Sequence, residues 1–279
     1  MQSYREYIQS ISKGIEDAKQ IPLGAVAPLK RETPSTDAPV MLIFAPHPDD
    51  ECLIGALALR LLQENNFRVK DVAVTQGSNQ NRQAARFKEL SDACGYLGFG
   101  VIQTSPVGLQ NVRLSTRQNN PMEWSEKVSV IRDIIKREKP SIIMMPHERD
   151  WNSTHIGTHY VVKDALEAID DISVTVVETE FWGEVENPNL MIEVSDEDLA
   201  NLLTALSFHL GEVARNPYHL LLPAYMQRNV CRGGEVVGGQ GGSVPDFRYA
   251  MLYRVSKFVN KTFTPIPHKI ISTKEKIEI

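Results

Sequence analysis

The sequence predicts an α/β fold: a Rossmann-like, mostly parallel sheet with helices on both faces, preceded by an N-terminal helical extension. Three observations carry this. Val40–Ala45 and Ser141–Met145 are short, continuous apolar runs, the pattern of strands buried on both faces. Segments with helical periodicity separate these and other strand-like runs, and such alternation implies a parallel sheet. The 279 residues are enough for one sizeable core with an appendage.

The elements follow in order. Residues 1–20 place Tyr4, Tyr7, Ile8, Ile11 and Ile15 on one helical face. Residues 21–38, with Pro22, Pro28, Pro34, Ser and Thr, read as an irregular arm. After Val40–Ala45, residues 50–64 read as a helix apolar nearly all round, hence largely buried. Strands are then expected at 69–75, 101–104, 141–145 and 173–181, with helices at 80–97, 124–137 and 155–169. Beyond residue 185 the pattern weakens. Residues 196–212 look helical, the glycine-rich stretch 232–242 reads as a flexible loop or hairpin, and 247–255 as a final strand. The expected division is an N-terminal helix and arm at 1–38, a main domain at 39–260 and a C-terminal tail at 261–279.

Composition sets limits on function. Hydrophobic residues make up 42% and charged residues 23%, ordinary for a globular chain. The net charge of −5 gives no reason to expect a nucleic-acid or anionic-membrane surface. No apolar run reaches the length of a membrane span. The first residues lack the basic-then-apolar pattern of a secretory signal. Cys52, Cys94 and Cys231 are too few and too scattered for a disulfide framework or a cysteine zinc site. The expectation is a cytoplasmic protein. A homo-oligomer stays open, because the N-terminal helix and arm offer a surface for a neighbour.

In parallel sheets the functional loops lie at the carboxyl ends of the strands. Two polar loops there stand out. The first is Pro46-His47-Pro48-Asp49-Asp50-Glu51, after one apolar strand and at the start of a buried helix. An imidazole and three carboxylates so close together are costly in a half-buried place unless a cation neutralises them. Helix capping accounts for one carboxylate but not for the group. The second loop runs from Pro146 to His155, with His159 one turn beyond. A histidine pair four apart on a helix can bind zinc, though one of them can equally face the core.

Pro-His-Pro-Asp-Asp-Glu after a strand, then Gly, then Arg86-Phe87-Lys88-Glu89, then a strand and a histidine about ten residues on, resembles the PIG-L/LmbE-like deacetylases. The resemblance covers roughly residues 39–260. It implies one Zn²⁺ per chain held by His47, Asp50 and His155, with Asp49 as general base. The expected reaction is hydrolysis of the N-acetyl group of an N-acetylglucosamine-type sugar derivative, releasing acetate and a free amine. The chemistry is coherent: three N/O ligands with an open position describe a catalytic zinc, whose bound water has a pKa of about 7. A carboxylate left unligated beside it can carry the proton from water to the leaving amine.

The sequence departs from the family's His-Pro-Asp-His motif in two linked places. Its first histidine is Asn152 here and its aspartate is Thr154. An asparagine amide can donate to an oxyanion without a protonation state to tune, so Asn152 is expected in that role, with His147 as a substitute or a rim residue. Arg86 and Asn79 are expected to face the sugar substrate, since amide groups both donate to and accept from hydroxyls. His159 is expected to be structural, and the loop 233–242 either closes over the site or is a surface hairpin. The competing readings are a metal-dependent amidase on a non-sugar or thiol-conjugate amide, and a non-catalytic metal- or carbohydrate-binding protein. A nucleotide-binding Rossmann domain lacks its Gly-x-Gly-x-x-Gly turn here.

Overall fold

The structure, a computed structural model, describes residues 3–24, 26–30 and 34–279. Of the arm expected at 21–38, residues 25 and 31–33 lie outside the described residues. The chain runs through α1 (Tyr4–Ala18), β1 (Val40–Ala45), α2 (Asp50–Leu53), α3 (Ala56–Asn65), β2 (Arg68–Ala73), a 3-10 turn (Gln80–Arg82), α4 (Gln83–Leu97) and β3 (Gly100–Gln103). It continues through α5 (Leu114–Asn119), α6 (Pro121–Glu138), β4 (Ile142–Pro146), α7 (Ser153–Glu167) and β5 (Ser173–Thr179). The last part holds β6 (Leu190–Val194), α8 (Asp196–Leu206), α9 (Leu210–Arg215), α10 (Tyr218–Val236), β7 (Tyr249–Val259), β8 (Thr262–Pro265) and β9 (Lys269–Ile271).

The strand order is β3-β2-β1-β4-β5-β7-β6-β9, with β8 on β7. β3, β2, β1, β4 and β5 are parallel neighbours. All six residues of β1 and all five of β4 are buried, as their continuous apolar runs require. α3, α4, α8 and α10 cover one face of the sheet, and α6 and α7 cover the other. The mixed half comes from β7, which is antiparallel to both β5 and β6.

Four expectations need correction. The helix at 50–64 is two helices: a Cβ at Gly55 would meet the Glu51 carbonyl oxygen at 2.1 Å, so the chain turns there on a glycine. The helix at 196–212 likewise breaks before His209. The glycine-rich stretch is not a loop from residue 232, because α10 runs to Val236. A Cβ at Gly233 would meet the Met191 sulfur at 2.5 Å, so that glycine lets the helix lie close on the sheet. Residues 261–279 are no tail, since β8 and β9 join the sheet and Ile277 is buried. The buried Arg60 ties this end down, donating to the carbonyls of Ser272 (3.0 Å), Glu275 (2.9 Å) and Glu193 (3.1 Å).

α1 opens with a capping box between Ser3 and Glu6. None of its residues is buried, and the expected apolar face of Tyr4, Tyr7, Ile8, Ile11 and Ile15 is exposed. Among the described residues no helix is long and apolar enough to cross a membrane.

Candidate active site

β1 and β4 are adjacent and parallel, so the loops leaving their carboxyl ends meet. The Thr75 hydroxyl fixes the first loop by donating to the Pro46 carbonyl at 2.7 Å. His47 Nδ1, His155 Nε2 and Asp50 Oδ2 form a near-regular triangle. The imidazole nitrogens are 3.3 Å apart, and Asp50 Oδ2 lies 3.6 Å from His47 and 3.4 Å from His155. A tetrahedral ion with bonds of about 2.0–2.1 Å has ligand–ligand edges of about 3.3–3.4 Å, so these donors fit a small divalent cation.

Two other clusters of ligand-type side chains do not fit as well. In Glu51, Cys52 and His209 the His209 Nε2 to Glu51 Oε1 distance is 2.7 Å, which is hydrogen-bond spacing. In Glu148, His159 and Glu178 the Arg254 guanidinium already holds both carboxylates.

The charges tell the same story. Burial lowers the His47 imidazole below its usual range, leaving a lone pair available. Burial pushes the Asp50 carboxyl up, but His155 and then His47 outweigh it and the net shift is downward. Burial followed by the Asp50 charge holds Asp49 well above the usual carboxylate range. Two adjacent carboxylates crowd a buried pocket with too little positive charge, an arrangement a dication relieves.

Asp49 has an unusual backbone, with φ 120° and ψ −28°. A non-glycine residue pays about 1–3 kcal/mol for such a conformation, and such strain gathers at functional sites. It separates the neighbouring carboxylates: Asp50 joins the triangle, while Asp49 Oδ2 lies 3.7 Å from Arg86 Nη2. Arg86 also donates to the Pro48 carbonyl at 2.8 Å and lies 3.8 Å from Glu212. Gly77 makes room for it, since a Cβ there would meet Arg86 Nη1 at 2.4 Å.

The second loop supplies two further features. Asn152 is the N-cap of α7, and its Oδ1 accepts from the Thr154 amide at 2.8 Å. Capping fixes the orientation of the side-chain amide and leaves its Nδ2 donor uncommitted by the cap, and Asn152 lines the cavity. Asp150, which the sequence did not single out, is buried. It accepts from the Asn152 amide at 2.8 Å, and its Oδ2 lies 3.6 Å from His155 Nδ1. It is placed to orient the His155 ring, leaving Nε2 for the triangle.

His147 is neither a rim residue nor a substitute donor. It is fully buried, with Nε2 at 2.9 Å from the Gly183 carbonyl and Nδ1 accepting from the Arg149 amide at 3.2 Å. His159 turns to the Pro146 carbonyl (3.1 Å) and Glu178 (3.4 Å), away from the triangle.

His47, Asp49, Asp50, Arg86, Asn152 and His155 therefore line one cavity of about 200 Å³. Asn79 does not: it is exposed and caps the short 3-10 turn, while Gly77 and Ser78 of the same loop reach the wall. The glycine-rich segment is also absent from the wall. Sequence reasoning missed Phe181, Trp182, Glu212, Arg215 and Tyr218, which complete it from the segment after β5 and from α9 and α10. Phe181 packs edge-on against Trp182 and Tyr218, at centroid distances of 4.7 and 5.9 Å, giving the cavity an aromatic side.

Residues 42–166 match the family model described as PIG-L, GlcNAc-PI de-N-acetylase. Over this segment the chain is similar to the PIG-L family, as the motifs of the sequence led one to expect. The segment carries all six of the sequence-expected residues that line the cavity. No curated protein sequence matches the chain.

Solved structures share the fold. N,N'-diacetylchitobiose deacetylase from Pyrococcus horikoshii is 15% identical, with 91% of this chain and 93% of that one covered and a TM-score of 0.57. The 4-carboxy-2-hydroxymuconate hydratase from Pseudomonas putida KT2440 is 14% identical, covering 78% and 95% at a TM-score of 0.57. A zinc inhibited form of a teicoplanin deacetylase is 16% identical, covering 78% and 98% at a TM-score of 0.54. At these identities the structural likeness shows the fold alone. With the PIG-L match, it supports a hydrolase of the de-N-acetylase kind.

Proposed function

We propose that the chain hydrolyses the N-acetyl group of an N-acetylated amino-sugar derivative, releasing acetate and a free amine, with one zinc held by His47, Asp50 and His155. The observation that carries this reading is the three-atom triangle with the unligated Asp49 carboxylate beside it in an open cavity. Bound there, zinc would supply a nucleophilic water near neutral pH and polarise the scissile carbonyl. Asp49 takes the water's proton and hands it to the departing nitrogen as the amide C–N bond breaks. Arg86 holds Asp49 in place. Asn152 Nδ2 donates to the carbonyl oxygen as negative charge gathers on it. The aromatic side formed by Phe181, Trp182 and Tyr218 suits the apolar face of a sugar ring, and Ser78 suits its hydroxyls.

Two results follow for the metal. Chelation should abolish activity, and one equivalent of zinc should restore it. Excess is best avoided, because a neighbour of this fold is described in a zinc inhibited form. Asp150→Ala should weaken metal affinity about 10–100-fold, the scale for losing the partner of a ligating histidine. Titration with a chromophoric chelator reads this, and an unchanged affinity would remove Asp150 from the account.

The substrate is tested by a screen for amine and acetate release. N-acetylglucosamine compounds should be cleaved. Cleavage of only peptides or aryl amides would favour the amidase reading. The hydratase among the neighbours gives a second alternative, water addition to an alkene without acetate release.

A further inference from the structure

The Asp49 side chain makes no capping bond to α2, so its strained backbone is held by other contacts. Its amide donates to Glu51 Oε2 at 2.9 Å. Glu51 Oε1 in turn accepts from His209 Nε2 at 2.7 Å. Glu51 and His209 are both 0% exposed, and neither lines the cavity. His209 lies 158 residues away in sequence, at the start of α9. The same helix carries Glu212, which pairs with Arg82 at 3.0 Å and lies 3.8 Å from Arg86. Arg86 closes the circuit by reaching Pro48 and Asp49. Asp49 is thus gripped from two sides by one helix: through Glu51 and His209 at its backbone, and through Glu212 and Arg86 at its carboxylate.

We propose that Glu51 and His209 are positioning residues whose buried hydrogen-bonded pair holds the Asp49 backbone so that its carboxylate stays clear of the triangle. The inference rests on Asp49 being the base. A carboxylate at residue 51 is needed because its two oxygens must accept at once, one from a backbone N–H and one from an imidazole N–H. A donor at residue 209 is needed because a buried carboxylate oxygen left without a hydrogen-bond partner is costly, so the side chain would not stay fixed beside the Asp49 amide. With the pair broken, Asp49 relaxes toward an ordinary backbone angle and its carboxylate leaves the position from which it takes the proton.

The test uses the full-length zinc-loaded protein with His209→Leu, His209→Gln and Glu51→Gln. Two readouts are taken together: hydrogen exchange of the Asp49 amide in ¹⁵N-labelled protein, and kcat and KM on an N-acetylated amino sugar with metal content measured. His209→Leu should speed Asp49 amide exchange about tenfold, the loss expected for a bond to a charged acceptor. It should lower kcat by a similar factor, with KM and metal content unchanged. His209→Gln, which keeps a donor at similar reach, should recover most of both. Glu51→Gln keeps the shape but not the charge. Its Asp49 amide proton should move upfield, and it carries the comparison if His209→Leu fails to fold. Unchanged amide exchange and kcat in folded Glu51→Gln and His209 variants would overturn the proposal, as would a drop in thermal stability alone. If the unmodified protein cleaves no N-acetyl sugar, the functional reading fails, while the amide measurement still decides whether the pair holds Asp49.

Discussion

Asp49→Asn should keep the metal and lose about 10²–10⁴-fold in turnover, the usual scale for a general acid–base group. The two halves of this result come from different parts of the geometry. The triangle is built from His47, Asp50 and His155 without Asp49, so its donor atoms are untouched. Asparagine keeps the size of the side chain beside Arg86 but has no site for the proton. Elemental analysis alongside steady-state kinetics checks both halves. Loss of the metal from Asp49→Asn would mean that the roles of the two aspartates are reversed. Turnover within a few-fold of normal would remove Asp49 from the chemistry.

The second large effect is expected at Asn152, where Ala should lower turnover about 10²–10³-fold, the scale for one oxyanion donor. This residue also caps α7 through Oδ1, so part of any loss is structural, typically about 1 kcal/mol of stability for a missing cap. Asn152→Ser separates the two roles, because serine caps but cannot reach as far with a donor. It should restore stability and not turnover. The limb of the pH–rate profile that a titrating histidine would contribute should be missing or displaced. Asn152→His alone should rescue poorly, since Thr154 supplies no carboxylate to hold the ring protonated, and adding Thr154→Asp should improve it. The buried His147, with both ring nitrogens engaged, should affect stability when replaced. A fully active Asn152→Ala with a dead but folded His147→Ala would refute this assignment.

The parts of this site legible in the sequence are those where chemistry and periodicity coincide. The β1 and β4 runs are apolar throughout, which only a strand buried on both faces explains, and parallel topology then brings His47 to His155. His155 and His159 look alike in sequence. What separates them is a tertiary fact: Glu178 and the Pro146 carbonyl wait for one ring, Asp50 and Asp150 for the other. Asp150 is hard to single out in the sequence because it sits in a run of polar loop residues and shows its purpose only when His155 folds back over it.

The far wall of the cavity was invisible for a different reason. Phe181, Trp182, Glu212, Arg215 and Tyr218 belong to segments with no spacing that marks a site, and each is an ordinary residue for a helix end or loop. The glycines at 233–242 misled because a glycine needed for close helix–sheet contact looks, in sequence, like one needed for a turn. The Asn79 side chain suggests a sugar contact in sequence, yet in the structure it caps the local turn. Strands of three or four residues, such as β8 and β9, are too short for alternation to register.

The most direct measurement of the central claim is anomalous diffraction across the zinc edge from crystals of the zinc-loaded protein. The account predicts one strong peak per chain within bonding distance, about 2.0–2.2 Å, of His47 Nδ1, His155 Nε2 and an Asp50 oxygen, with Asp49 unbound beside it. A peak ligated by Asp49 in place of Asp50, a peak at Glu148, His159 and Glu178 instead, or no peak in protein that shows full activity would contradict it.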